Sequence, residues 1–438
     1  MNWNKESYLK KVIPQGVTYD DPALLKQVLT ELNTLPPLVT GAEIDILKSQ
    51  LKEAQQGRMF ILQGGDCGEQ FNDCNSQQIG NKFKILLQMS VILIYGLKKP
   101  IIRVGRIAGQ YAKPRSQEWE MHNDQKLLSY RGDIINSPEF TEAARRPDPK
   151  RMLEAYFRSS ATLNHLRALL ESGFADFHHP ENWELGFMEE GEGVQAYHGI
   201  LGEISDSIHF FEAILKGDSL ARVKLYSSHE ALHLPYEAAL TRKSEEGRFY
   251  NLGTHFPWIG MRTLQQDGAH IEYLRGINNP IGIKVGPSAD FDALCRIIEV
   301  LNPTGEMGKI MLIHRFGAAE VDTKLPQLLK HVKTRGLPVL LSVDPMHGNT
   351  KTTESKIKTR YFADILKEIQ SAFRIHHECD IPLSGIHFEL TGDNVTECIG
   401  GVSNLKEADL PRAYKSLVDP RLNYEQAMEI ALAIAKMH

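Results

Sequence analysis

IGIKVGPSADFDALCRIIEVLNPTGEMGKIMLIHR (281–315) holds two short apolar runs, IGIKV and KIMLIHR, around ADFDALCRIIEVL, where apolar residues recur at three- and four-residue spacing. A strand, an amphipathic helix and another strand make the unit of a parallel sheet joined by helical crossovers. The alternation continues through a helix ending LPQLLKHVKTRG (325–336), strand PVLLSV (338–343), helix YFADILKEIQSAF (361–373) and strand GIHFEL (385–390). Upstream, MFILQ (59–63), IIRVG (101–105), RVKLYS (222–227) and the stretch around NLGTHFPWI (251–259) supply four more strands. Eight strand and helix units predict an α/β fold, a closed (β/α)8 barrel of the TIM type, with chemistry on the loops after the C-terminal strand ends.

Two regions fall outside the repeat. Residues 1–57 form an N-terminal extension to a barrel spanning 58–438. The gap between the second and third strands is too long for a plain crossover, so a helical segment of about 117–220, including RMLEAYFRSSATLNHLRALLESG (151–173), is predicted as an insertion. Near the end, Asn423 and Gln426 make a capping pair before AMEIALAIAKM.

With 42% hydrophobic and 24% charged residues in a chain of 438, an ordinary globular protein is expected. The net charge of −5 gives no general reason to expect nucleic acid or an anionic membrane as partner, so any anion site is local. MNWNKESYLKK lacks the apolar stretch of a secretory signal, and a cytoplasmic protein is expected. ILLQMSVILIYGL (85–97) is too short to span a bilayer and contains Gln88 and Ser90, which makes it a buried helix. Five cysteines form no regular framework, and free thiols follow.

The strand ends carry polar groups in register: Asp66 and Cys67, Arg106, His229, Arg262, Lys284, Arg315, His347 and Glu389. Arg106, Arg262, Lys284 and Arg315 would repel one another if crowded together without partners, and so imply a polyanionic ligand. The planar fork of arginine suits phosphate and carboxylate. Cys67, His347, Glu389 and Asp419 make a mixed thiolate, imidazole and carboxylate set for a divalent metal, accepting manganese, iron, cobalt or zinc. HHECD (376–380) is denser in ligand types, but consecutive helical residues point to different sides, which argues against a site there.

LQGGDCGEQF, RVGRIAGQYAKPRS, SYRGD, SSHEALHLPYEAALTR, HFPWIGMRT, DGAHIEYLRG, GIKVGP, DPMHGNT, HFELTGDNVTECIGG and DPRLN together resemble the class II 3-deoxy-D-arabino-heptulosonate 7-phosphate (DAHP) synthases. The likeness runs from about residue 59 to 425, in family order. It implies a metal-dependent barrel enzyme that condenses phosphoenolpyruvate with erythrose 4-phosphate and releases phosphate, the first step of the shikimate pathway to aromatic amino acids. The family's metal ligands fall on Cys67, His347, Glu389 and Asp419, with manganese favoured. Its phosphoenolpyruvate contacts fall on Arg106, Arg262, Lys284 and Arg315, and its aldose phosphate contacts on Lys113, Arg115 and Ser116. Lys113, Arg106 and Lys284 are the implied catalytic residues. A homodimer or homotetramer and aromatic amino acid effectors are also implied.

Three departures stand out. The family's usual WIGERT reads WIGMRT, placing Met261 where a glutamate would lie beside phosphoenolpyruvate. Val418 replaces a cysteine before DPRLN, so Cys67 has no disulfide partner there. KTTESKIKTR replaces a segment that commonly carries cysteine and glycine. Met261 leaves open a secondary-metabolic paralogue making DAHP or its amino analogue, and a metabolite-binding regulator without turnover. Lys284 by itself would also permit a Schiff-base aldolase.

Overall fold

The computed structural model describes residues 3–122, 124–172, 199 and 223–437. Eight parallel strands close into a barrel: β1 (Phe60–Gly65), β2 (Ile101–Arg106), β3 (Leu225–Glu230), β4 (Phe256–Ile259), β5 (Ile281–Val285), β6 (Ile310–His314), β7 (Val339–Val343) and β8 (Gly385–Glu389). Each strand pairs with its neighbours in chain order, and β1 closes the ring on β8 with Ile61 opposite Gly385 and Gly65 opposite Glu389. Helices follow as the periodicity requires, among them Phe291–Leu301, Val321–Arg335 and Phe362–Glu378.

Two predicted strands are displaced. β3 begins at Leu225, beyond Val223 and Lys224 of the predicted strand, whose Arg222 lies outside the described residues; it pairs with β2 from Leu225 opposite Arg103 to Ser227 opposite Gly105, and with β4 through Ser228, His229 and Glu230. Apolar counting overlooks that polar but buried stretch. β4 is only Phe256–Ile259, since Phe249–Asn251 is taken up by a hairpin with Thr241–Lys243. The described part of the predicted insertion contains a hairpin of Trp119–His122 with Gln125–Leu128 and the helices Glu142–Arg145 and Arg151–Glu171. Residues 123, 173–198 and 200–220 lie outside the described residues.

Within the barrel, alternate side chains of each strand point inward, as the pleat demands. The lowest layers are apolar: Ile61, Ile102, Val104, Tyr226, Phe256, Met311, Ile313 and Leu340 pack together with Leu47, Leu51 and Ala54. Those last three belong to the helix Gly41–Gln55, which closes the N-terminal mouth. Thr40 and Glu43 cap that helix reciprocally. Above lies a polar layer in which Gln63 Nε2 donates to Ser228 Oγ at 3.1 Å. Trp258 stands edge-on to His387 beside it, with ring centroids 5.6 Å apart. Two residues further along the same parity come Arg106, Glu230, Lys284 and Glu389. The pleat therefore fixes which strand-end residues reach the C-terminal mouth.

The apolar run 85–97 lies in the helix Ser76–Leu97, buried against the barrel, and among the described residues no helix is long and apolar enough to cross a membrane. All five cysteines are free. The expected Asn423/Gln426 cap starts the last helix, Tyr424–Ala435. That helix meets Ser76–Leu97 at Gly96, where an added Cβ would overlap the Cα and Cβ of Ala435. Gly96→Ala is expected to force the two helices apart at a cost of about 1–3 kcal/mol, read as a lower denaturation midpoint. An unchanged midpoint would show that the contact yields freely.

Candidate active site

Strand β8 ends on Glu389, whose carboxylate is wholly buried. Arg106 Nη2, from the end of β2, donates to Glu389 Oε1 at 3.0 Å, and Arg360 Nη2 donates to Oε2 at 2.7 Å. His347 Nε2, from the loop after β7, lies 2.9 Å from Oε1. Burial alone would raise the Glu389 carboxyl, but His347, Arg360 and Arg106 hold it well below the ordinary range.

His347 is itself held. Its Nδ1 meets Asp344 Oδ2 at 2.7 Å, while Asp344 Oδ1 accepts the backbone N–H of Met346 at 2.9 Å and of His347 at 3.2 Å. Lys284 Nζ pairs with the same Asp344. Asp344 therefore turns the loop and orients the imidazole, with Nε2 left facing Glu389.

Cys67 Sγ, Glu389 and Asp419 bring ligand atoms within 4.8 Å of one another. Cys67 Sγ donates to Asp419 Oδ2 at 3.3 Å. Lys113 Nζ sits among the same donors, 2.7 Å from Cys67 Sγ and 3.6 Å from Asp419 Oδ2. Burial would lower the Lys113 ammonium, but Cys67, Asp419 and Glu389 hold it above its ordinary range. Burial and the adjacent Glu389 push the Cys67 thiol well up. A cation placed there would relieve that repulsion and deprotonate the thiol, so the donor set fits a divalent metal.

Above these groups opens a cavity of about 360 Å³ lined by Arg106, Lys113, Arg115, Ser116, Arg262, Lys284, Arg315, His347 and Asp419 among others. Its cationic side chains outnumber its acidic ones seven to three; Glu389 and Asp344 beneath it take up part of the excess through Arg106 and Lys284, and the remainder favours an anion. Burial, reinforced by Arg106, lowers Lys284 to about 8 against the opposing pull of Asp344. Arg315 Nη2 donates to the His347 carbonyl at 2.7 Å, and Nη1 lies 3.3 Å from Met261 Sδ. At the exposed rim Arg262 Nη2 donates to Ser116 Oγ at 2.6 Å. Arg115 rests on Glu120 at 2.5 Å, which also takes Arg145 at 2.6 Å.

Every residue singled out as a metal, anion or sugar phosphate contact thus lies in or directly beneath one mouth. Two strand-end residues do not. Asp66 is paired with Lys82 and with Arg421 at 2.8 Å, and His229 Nε2 lies 2.9 Å from Glu237. HHECD forms no ligand cluster: His376 Nδ1 lies 2.9 Å from the Ile381 carbonyl and its Nε2 3.4 Å from His314.

Reading the sequence missed Arg360 and Glu230. Glu230 follows His229 on β3, but its parity turns it into the cavity, where Oε1 has no hydrogen-bond partner among the described residues. Burial raises its carboxyl even though Lys113, Arg106, Lys284 and His347 all pull the other way. The strand periodicity held the signal, since Glu230 shares a face with Ser228. Arg360 had none beyond its place in KTR.

The profile of the class-II DAHP synthetase family matches residues 3–435. The chain belongs to that family. It is 44% identical to the phospho-2-dehydro-3-deoxyheptonate aldolase of Neurospora crassa, an alignment covering 99% of this chain and 94% of that protein. Identity to the Streptomyces coelicolor protein of the same name is 42%, over 97% and 95% of the two chains. The solved structure of phospho-2-dehydro-3-deoxyheptonate aldolase from Francisella tularensis SCHU S4 shares the fold. Its TM-score is 0.50 at 16% identity, covering 97% of this chain and 96% of that one.

Arg360→Met would leave Glu389 without one of its two buried guanidinium partners. It is expected to destabilise the fold by about 3–5 kcal/mol, measured by denaturant titration. A loss below about 1 kcal/mol would show that Arg106 and His347 suffice.

Proposed function

We propose that the chain is a 3-deoxy-7-phosphoheptulonate synthase, joining phosphoenolpyruvate to erythrose 4-phosphate with release of phosphate. The observation that carries this is the mouth in which the excess cations face the Cys67, Glu389 and Asp419 cluster, with His347 Nε2 against Glu389. Arg106, Lys284, Arg315 and Arg262 hold the carboxylate and phosphate of phosphoenolpyruvate. Lys113, Arg115 and Ser116 take the aldose phosphate. Holding C3 of the enol phosphate against the aldehyde carbon supplies the proximity advantage, and water then adds at C2 as phosphate leaves.

Cys67, His347, Glu389 and Asp419 would hold a divalent metal, with manganese favoured and cobalt, iron or zinc accommodated by the same donors. When bound, it supplies Lewis acidity to the aldehyde end. Lys113 and Lys284 hold protons close to the reacting groups. Glu230, with a free carboxyl oxygen in the cavity and a raised proton affinity, is placed to handle the water. It supplies a carboxyl that Met261 cannot, which favours a working synthase over a regulator without turnover. The homo-oligomeric state and aromatic effectors implied by the family belong to the same proposal.

Phosphate release with both substrates is expected to stop on chelation and return with Mn²⁺. Cys67→Ser should lose Mn²⁺ affinity and turnover together while keeping its fold. Full activity in the chelated protein would overturn the assigned metal set.

Glu230→Gln is expected to lower kcat by roughly 10²–10⁴-fold with the KM for phosphoenolpyruvate little changed. Because the carboxyl is raised, its ionised form is present only above the ordinary carboxylate range. The acid limb of the wild-type kcat profile should lie there and vanish in the variant. A variant with wild-type kcat would assign Glu230 to structure.

Met261→Glu would set a carboxylate against Arg315, competing with the substrate anion. A higher KM for phosphoenolpyruvate with kcat within a few-fold is expected, and a large gain in kcat would show instead that the wild type lacks a water-positioning group.

A further inference from the structure

Glu368 belongs to no motif of the proposed site, yet it is a fully buried carboxyl on the inner face of the helix Phe362–Glu378. Its Oε1 accepts the backbone N–H groups of Phe316 and Gly317, each at 2.9 Å, immediately after Arg315. Asn349 Nδ2 donates to its Oε2 at 2.8 Å, and Asn349 Oδ1 accepts the N–H of Ala318 at 2.9 Å. The same amide nitrogen donates to the Pro345 carbonyl at 2.8 Å. Glu368 and Asn349 thus capture three successive amides of the loop after β6 and tie them to the loop after β7.

The backbones touch where they are tied. Gly317 has φ of +82°, and a Cβ on Gly348 would overlap the Gly317 nitrogen. Here the glycines permit the approach and the Glu368–Asn349 pair enforces it. Burying the carboxyl is costly: desolvation raises its proton affinity, while the Gly317 and Phe316 amides and Asn349, all donating to it, favour its charged form. Among the described residues no carboxylate holds the Arg315 guanidinium: its contacts are the His347 carbonyl and the Met261 thioether, and its Nε has no hydrogen-bond partner. Its aim is therefore set by its backbone.

We infer that Glu368 is a positioning residue: through Asn349 it staples the loop carrying Arg315 to the loop carrying His347, fixing the anion-binding end of the site relative to the metal-binding end. The inference rests on the proposed roles of those two residues. A glutamine at 368 keeps the size but offers one acceptor oxygen. If that oxygen serves Phe316 and Gly317, its NH2 faces the NH2 of Asn349, and flipping Asn349 forfeits the bond to Ala318.

The test compares wild type, Glu368→Gln, Arg315→Ala and the double variant by calorimetric affinity for phosphoenolpyruvate without metal, affinity for Mn²⁺ alone, and thermal midpoint. Glu368→Gln is expected to weaken phosphoenolpyruvate binding at least tenfold and Mn²⁺ binding several-fold, and to cause no further loss of phosphoenolpyruvate affinity once Arg315 is gone. A lower midpoint with both affinities within twofold of wild type, or losses that multiply fully in the double variant, would overturn it. A wild type that binds Mn²⁺ but no phosphoenolpyruvate defeats the functional proposal alone. The Mn²⁺ comparison then decides, weakened binding sustaining the staple and unchanged binding overturning it. A wild type that binds neither overturns both. Should Glu368→Gln not fold, Asn349→Ala cuts the same link and is read by the same outcomes.

Discussion

A carboxylate at the closed seam of the barrel, Glu389, constrains everything around it. An isolated charge at zero exposure costs several kcal/mol, and here three cationic or protonatable groups converge on it: Arg106 from β2, Arg360 from the strand Lys358–Arg360 and His347 from the loop after β7. Each is positioned by a different part of the chain. Arg106 is further fixed by donating to the carbonyls of Asp66 at 2.8 Å and Cys67 at 3.1 Å. Arg360 donates to Thr350 Oγ1 at 3.1 Å and to the Pro420 carbonyl next to Asp419. The mouth of the barrel is thus assembled by satisfying one buried charge, and the candidate metal ligands follow from the same geometry.

The fold was legible because barrel strands are short apolar runs separated by helices of clear periodicity. It was least legible where strands are polar. β3 ends in Ser227, Ser228, His229 and Glu230, all buried, and a search for apolar runs placed it three residues early. That shift had a functional cost. At a strand end, moving by one residue exchanges inside for outside, so His229 was singled out although it pairs with Glu237 behind the strand, while its neighbour Glu230 enters the cavity.

The candidate ligand set was reached in another way. Cys67, His347, Glu389 and Asp419 are scattered along the sequence, and spacing alone could not join them. The closed ring of strands does, since β1, β7 and β8 are adjacent and Asp419 follows β8. Arg360 and Glu368 escaped notice because they act through other residues. One neutralises Glu389 and the other gathers backbone amides, and neither task leaves a pattern in the chain.

The helix Gly41–Gln55 has a consequence for traffic. By packing Leu47, Leu51 and Ala54 into the lower barrel it leaves the upper mouth as the route for whatever the cavity holds. Arg106 and Lys284 lie buried at the floor, while Ser116 and Arg262 stand exposed at the rim. Among the described residues this mouth is the way in, and depth becomes sequence in time. Whatever reaches Arg106 and Lys284 has to pass Ser116 and Arg262 on the way in and again on the way out.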